Sequence, residues 1–150
     1  MAVERIVSGG QTGVDRAALD VAIALGIDHG GWCPAGRKAE DGTIPRHYRV
    51  QETASVDYAE RTEQNVLDSD ATLILGRGEP TGGTALTARL AERHGRPCLL
   101  VDLDATPASG DVQRWLTENH VRVLNLAGPR ESTAPGIAAQ AQSFLLRVLR

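Results

Sequence analysis

A short β-branched run, Arg5-Ile6-Val7, enters Ser8-Gly9-Gly10-Gln11-Thr12-Gly13, and an alanine-rich helical pattern follows from Val14 through Ala24. A strand that turns through glycines into a helix has exposed amides at the turn and at the helix N-terminus. The first four helical N–H groups lack internal partners, so such a junction is an anion seat. The segment therefore points to binding of a phosphate-like or oxyanion group, and not yet to catalysis. It is neither the full dinucleotide fingerprint nor a P-loop with its lysine. A compact strand–helix connection is the plain alternative.

The rest of the chain repeats the alternation. Gly26 stops the first helix, and a short second strand precedes a glycine- and proline-rich loop from Gly30 to Pro45, with a brief pairing near Val50. Asp57 or Ser55 caps a helix running through Val66-Leu67. Ala71 to Leu75 reads as a buried strand, Thr84 to His94 as a helix, and Pro97 to Val101 as a strand. Asp111 to Asn119 reads as a helix, Val121 to Leu126 as a strand, and Pro135-Gly136 opens the last helix. This order predicts an α/β, doubly wound domain with a mainly parallel sheet, spanning 1–150 as one unit. Its ligand crevice belongs at the carboxyl ends of the strands, where the first glycine turn, the turn after Leu75 and the loop after Leu126 all emerge.

Composition narrows the partners. The formal net charge of −3 gives no general attraction to nucleic acid or anionic lipid, although a local basic pocket is compatible with it. Cys33 and Cys98 form no disulfide framework, and no apolar stretch reads as a signal peptide or membrane span. A cytoplasmic protein is the expectation.

The candidate binding residues fall in four groups. Ser8, Gly9, Gly10, Gln11, Thr12 and Gly13 form the first turn. Thr81-Gly82-Gly83-Thr84 is a second polar helix entrance, with helix capping by Thr81 or Thr84 as its alternative. Arg16 and Arg61 are fixed cations able to hold an oxyanion bidentately, or else surface ion-pair partners. Asn125, Arg130 and Ser132 belong to the loop closing the last strand, with Glu131 as a surface partner of Arg130. Trp32 could cover a planar ligand or be core, and Arg37 or Lys38 could line its charged end or face solvent. Cys33 reads as a lone buried thiol, and no regular ligand spacing predicts a structural metal. Asp15 and Glu63 are the provisional acid/base residues. Glu60, Asp68 and Asp70 lie around the same helix end as Glu63 and could supply acid/base chemistry or be carboxylates of a solvated helix.

Taken together, Ser8 to Leu19, Gly31-Trp32-Cys33-Pro34, Gly36 to Gly42, Arg61 to Val66 and Gly128-Pro129-Arg130-Glu131-Ser132 resemble the putative molybdenum carrier family. Asp68-Ser69-Asp70, Gly82-Gly83-Thr84 and Pro135-Gly136-Ile137 extend the likeness over nearly the whole chain. The resemblance implies a Rossmann-like fold related to the cytokinin-activating phosphoribohydrolases and to DprA. It implies storage or delivery of molybdenum cofactor, a pterin bearing dithiolene sulfurs and a phosphate, with the phosphate over the Gly9–Gly13 and Gly82–Thr84 turns. It also implies a homo-oligomer that meets a molybdoenzyme or a cofactor-synthesis partner. The alternative is a nucleotide-phosphate hydrolase of phosphoribohydrolase type. That family carries a catalytic glutamate three residues after its threonine, where this chain has Thr87. A DprA-like nucleic-acid role lacks an aromatic stacking series and a basic composition.

Overall fold

In the computed structural model, which describes residues 2–150, the first turn joins strand β1 (Arg5–Val7) to helix α1 (Val14–Leu25). Gly26 ends α1 in the left-handed conformation, φ 70°, and its amide donates to Ala22 and Ile23 carbonyls. β2 (Asp28–Gly30) follows. The loop beyond it holds short pieces: β3 (Trp32–Cys33), a β4 (Lys38–Ala39) and β5 (Gly42–Thr43) hairpin, and β6 (Gln51–Glu52). β6 pairs with β3, which is the brief pairing expected near Val50. Then come α2 (Tyr58–Leu67), β7 (Ala71–Gly76), α3 (Gly82–Arg93), β8 (Cys98–Asp102), α4 (Ser109–Glu118), β9 (Val123–Ala127) and α5 (Ile137–Leu149).

Five strands form one parallel sheet in the order β2-β1-β9-β7-β8. The last strand of the chain thus lies in the middle. Counted from β9 as the first strand, the same sheet reads 3-2-1-4-5, the doubly wound nucleotide-binding order. The chain is a doubly wound fold cut open in front of its second strand. This matters for function. The switch point, where the strand order reverses and ligands enter, lies between β9 and β7 and not beside the first strand of the chain.

Helices cover both faces. Ala17, Ala18, Val21 and Ala22 of α1, Val112 and Leu116 of α4, and Ile137, Ala141, Phe144 and Leu145 of α5 pack with Ile6, Leu73, Leu75, Leu124 and Leu126 of the sheet. α1 needs its alanines there because it packs closely along α5. On the other face, Val66 of α2 meets Leu90 and Ala91 of α3. The long loop has a core of its own, with Cys33, Ala39, Ile44, Tyr48 and Val50 closed over Leu19 of α1. Arg37, at φ 55°, ties it together by donating to the carbonyls of Ile44, Pro45, Tyr48 and Val50. The expectation that Arg37 lines a ligand is corrected, because its guanidinium is spent on backbone. Several boundaries also shift. α3 starts at Gly82 rather than Thr84, α4 at Ser109 rather than Asp111, and β9 at Val123 rather than Val121.

Candidate functional site

At the β9–β7 switch point a cleft of about 460 Å³ opens. One wall is the loop after β9, from Ala127 to Arg130 with Ser132 and Thr133. The other is the start of α3, from Thr81 to Thr84 with Thr87. Gln11, Asp15, Tyr58, Arg61 and Thr62 close the back. Gly128 is required here, since a Cβ would run into the Leu75 carbonyl and lie 2.6 Å from a Val14 methyl. Only glycine lets the β9 loop cross so close to β7 and α1.

The second helix entrance is open. Thr81 precedes α3 but makes no side-chain cap. Thr84 and Ala85 amides donate to the Thr81 carbonyl, while Gly82 and Gly83 amides have no partner among the described residues. Nothing lies within 4 Å of where a Cβ would sit on either glycine. The capping alternative for Thr81 therefore fails, and two unpaired amides at a helix N-terminus face a cleft.

The first glycine turn, expected to share the phosphate with the Gly82–Thr84 turn, has most of its amides engaged instead. The Gly10 amide donates to Ser8 Oγ, Gln11 to the Asp15 carboxylate, Thr12 to Gln11 Oε1, and Val14 to the Pro129 carbonyl. Ser8 Oγ itself donates to the Asp15 carbonyl. Gly13 sits at φ 82°, and a Cβ there would strike the Pro129 carbonyl. The turn is thereby a socket for the β9 loop. The sheet order explains it, because β1 flanks the switch point and does not form it.

The candidates accordingly separate. Gln11, Arg61, Thr81, Gly82, Gly83, Thr84, Arg130 and Ser132 line the cleft. Ser8, Gly9, Gly10, Thr12, Gly13, Arg16 and Asn125 do not. Gly9 lies under the Arg61 guanidinium, where its missing side chain gives Arg61 passage to Asp15. Asn125 is buried and donates to Thr72 Oγ1. Arg16 grips Asp41 with both terminal nitrogens, at 2.5 and 2.8 Å, and donates from Nε to the Gly10 carbonyl. Asp41 thus engages the guanidinium outside the cleft lining.

Positive charge in and beside the cleft gathers on one ring. Lys38 Nζ lies 4.5 Å from the Tyr58 ring centre, and the guanidinium carbons of Arg130 and Arg61 lie at 5.3 and 5.4 Å. Arg61 also contacts Asp15 at 3.2 Å. Burial pushes the Asp15 carboxyl above its usual range, and Arg61 pulls against that shift. Two buried donors lack any partner among the described residues: Gln11 Nε2 and Arg61 Nε. Gln11 is only 5% exposed, and both residues line the cleft. Unpaired buried N–H groups are costly, and a set of them beside cations calls for an acceptor of negative charge.

A carboxylate from the long loop already reaches the rim. Glu40 accepts from the hydroxyls of Thr12 and Ser132 and from the Ser132 amide at 3.2 Å, with Arg130 4.0 Å away. Its carboxyl is held below the usual range, chiefly by the Ser132 and Thr12 hydroxyls. Glu131 does not pair with Arg130. Its carboxylate accepts from the Gly136 and Ala138 amides and caps α5. Trp32 does not cover the cleft, since its indole donates to Asp68 and its backbone exchanges hydrogen bonds with Asn65. Glu63 is drawn to His94 at 2.8 Å, away from the cleft, and Asp70 accepts from Arg122 and Val123 amides. Asp15 is the one carboxylate of the cleft lining. Tyr58 and Glu40 had no sequence signal of their own. Each takes its meaning mostly from partners distant along the chain, Lys38 and Arg130 for Tyr58, and Thr12, Arg130 and Ser132 for Glu40.

Residues 6–149 match the circularly permutated YpsA SLOG family. The chain belongs to that family. The permutation in its name is the one visible in the sheet, where β9 takes the first-strand place. This SLOG chain is also similar to a crystal structure called "Putative molybdenum carrier protein" from Syntrophus aciditrophicus SB. The two share 47% sequence identity and a TM-score of 0.95, over 99% of this chain and 96% of that one. None of the curated proteins compared matches it. Among the described residues no group of three or more His, Cys, Asp or Glu side chains comes together to hold a metal ion.

Proposed function

We propose that this protein binds, stores or delivers molybdenum cofactor, or a closely related phosphorylated ligand, without turning it over. The carrying observation is the pair of unpartnered buried donors, Gln11 Nε2 and Arg61 Nε, in a cleft faced by free Gly82 and Gly83 amides. A phosphate supplies acceptors and charge for all four. The likeness to a protein named as a molybdenum carrier supports the choice of cargo. Molybdenum would arrive on the cofactor's own dithiolene sulfurs, the protein holding the phosphate and the organic body. Gln11, Arg61 and Arg130, with the Thr81 and Thr84 hydroxyls and the α3 amides, would make those contacts.

One observation favours a second reading, a nucleotide-phosphate hydrolase. Asp15 is a buried carboxylate in the cleft with a raised pKa, which is the condition of a general acid. Against it, Asp15 is engaged by Arg61 and the Gln11 amide. At the position of the phosphoribohydrolase glutamate, Thr87 donates its hydroxyl to the Gly83 carbonyl and offers no acid. Native mass spectrometry after anaerobic reconstitution separates the readings. A carrier retains the intact cofactor mass, with no product on prolonged incubation with cofactor or nucleotides. Conversion of a nucleotide, with no retention of the cofactor, would overturn the proposal.

A further inference from the structure

The lining of the anion cleft is not made of donors alone. Beside the unpartnered Gln11 Nε2, Arg61 Nε and α3 amides stands one side chain that only accepts when ionised, the buried Asp15. We propose that Asp15 is the specificity-determining residue of this cleft. It requires the bound oxyanion to share one proton with it, so that a phosphate is taken and a tetrahedral dianion without a proton, sulfate or free molybdate, is refused. The inference rests on the phosphate reading of the cleft and adds which oxyanions that site excludes.

The carboxylate is fixed where it can discriminate. Asp15 is only 4% exposed. Its Oδ2 accepts the Gln11 amide at 3.3 Å and Arg61 Nη1 at 3.2 Å, and its own carbonyl accepts from Ser8 Oγ. Its Oδ1 has no hydrogen-bond partner among the described residues and keeps an opening to solvent. The hollow directly behind it, about 10 Å³, has room for one water and no more. Anything larger than water therefore meets Oδ1 from the cleft.

The charges around Asp15 decide what it tolerates. Arg61 faces it from α2 and Arg130 from the loop after β9, while α3 contributes only the uncharged Thr84 and Thr87 to the lining. Lys38 and Glu40, of the β4–β5 hairpin, stand beside the cleft with opposite signs. Arg61 and Arg130 against Asp15 leave a surplus of one positive charge, which a monoanion neutralises. A dianion exceeds it and sets an oxygen against Oδ1 with no hydrogen between them, a like-charge contact in a poorly solvated place. Phosphate escapes this conflict because its second ionisation lies near neutrality, at about 6 for an ester. It brings the proton, or leaves it on Asp15, whose carboxyl is already raised by burial and loses support as the anion draws on Arg61. Sulfate and molybdate are fully ionised at neutral pH and bring none.

Calorimetric titration of the full chain with inorganic phosphate, sulfate and molybdate tests this, at about pH 8 and in two buffers of different ionisation enthalpy. Phosphate should bind at least about tenfold more tightly than either dianion. Its binding should take up about one proton, and its affinity should fall as pH rises from about 7 to 9. Asp15→Asn keeps an acceptor for the Gln11 amide and replaces the charge with a neutral donor. It should bring sulfate to the level of phosphate and abolish the proton uptake. Should that variant fail to fold, the wild-type selectivity and proton count decide alone. Equal affinity of the wild type for phosphate and sulfate, binding of phosphate without proton uptake, or a preference unchanged in Asp15→Asn would overturn the inference while the phosphate reading stands. If phosphate does not bind at all, the phosphate reading falls and the inference with it.

Discussion

Arg16 shows how far a residue can be understood from sequence alone. Its place in the first turn of α1, after a glycine segment, is where a phosphate-binding cation belongs. What decides its role is Asp41, 25 residues away in a loop whose path no local pattern reveals. Arg16→Ala should therefore lower stability, by about 1–2 kcal/mol, with Asp41's exposure to solvent keeping the cost modest. Affinity for phosphate should change little. Parallel thermal unfolding and titration would check this, and a large affinity loss at unchanged stability would refute it. Glu40 and Asp41 also give the protein an acid-sensitive fastening. Hydroxyls of Ser132 and Thr12 depress the Glu40 carboxyl, and Arg16 depresses that of Asp41. A depressed folded value means that the unfolded chain takes up protons first. The stabilisation is complete above the ordinary carboxylate range, about 4, and is lost as pH falls through the folded values. Asp15 is opposite in sign, since its raised carboxyl makes the cost of burial largest at neutral pH and relieves it in acid. The double variant Glu40→Gln, Asp41→Asn should be less stable at neutral pH and should lose less stability between about pH 6 and pH 3. Melting temperatures across that range measure both.

At the scale of elements, much was legible. Most main strands and helices were visible as an apolar run or a 3.6-residue pattern, β2 with its Asp28-His29-Gly30 being an exception, and Gly26 marked the end of α1 because the left-handed cap conformation favours glycine. The long loop was legible as a loop but not as a body with its own core, since Cys33, Ile44, Tyr48 and Val50 show no common period. The two glycine turns were legible as helix entrances, yet their difference was not. Gly13 faces the backbone of Pro129 and Glu131, while Gly82 faces open space at φ 53°. Gly82→Ala should cost only backbone strain, about 1–2 kcal/mol. Gly13→Ala adds a clash between backbones and should cost at least about 3 kcal/mol. Chemical denaturation of the two variants gives the comparison. Similar losses would show that the first turn is not the socket of the β9 loop.

For the whole molecule, the permuted strand order governs everything else. Strand order is a long-range property, and the alternation of strands and helices along the chain is the same whether β9 lies at an edge or in the centre. The fold class was therefore readable and the switch point was not. Once β9 takes the central place, the Arg130 loop and the Gly82-Gly83 helix entrance become the two sides of one cleft, and the first glycine turn becomes their support. Gln11 links the two roles, because its Oε1 accepts the Thr12 and Glu40 amides while its Nε2 is left without a partner. Gln11→Glu keeps both acceptor contacts and replaces the free donor with negative charge. The most direct measurement is an anaerobic equilibrium titration of molybdenum cofactor into the wild-type chain and into Gln11→Glu, with folding verified for both. The wild type should bind, and the variant should bind at least about 10²-fold more weakly. Absence of binding by the wild type, or equal affinity in the two, would contradict the account.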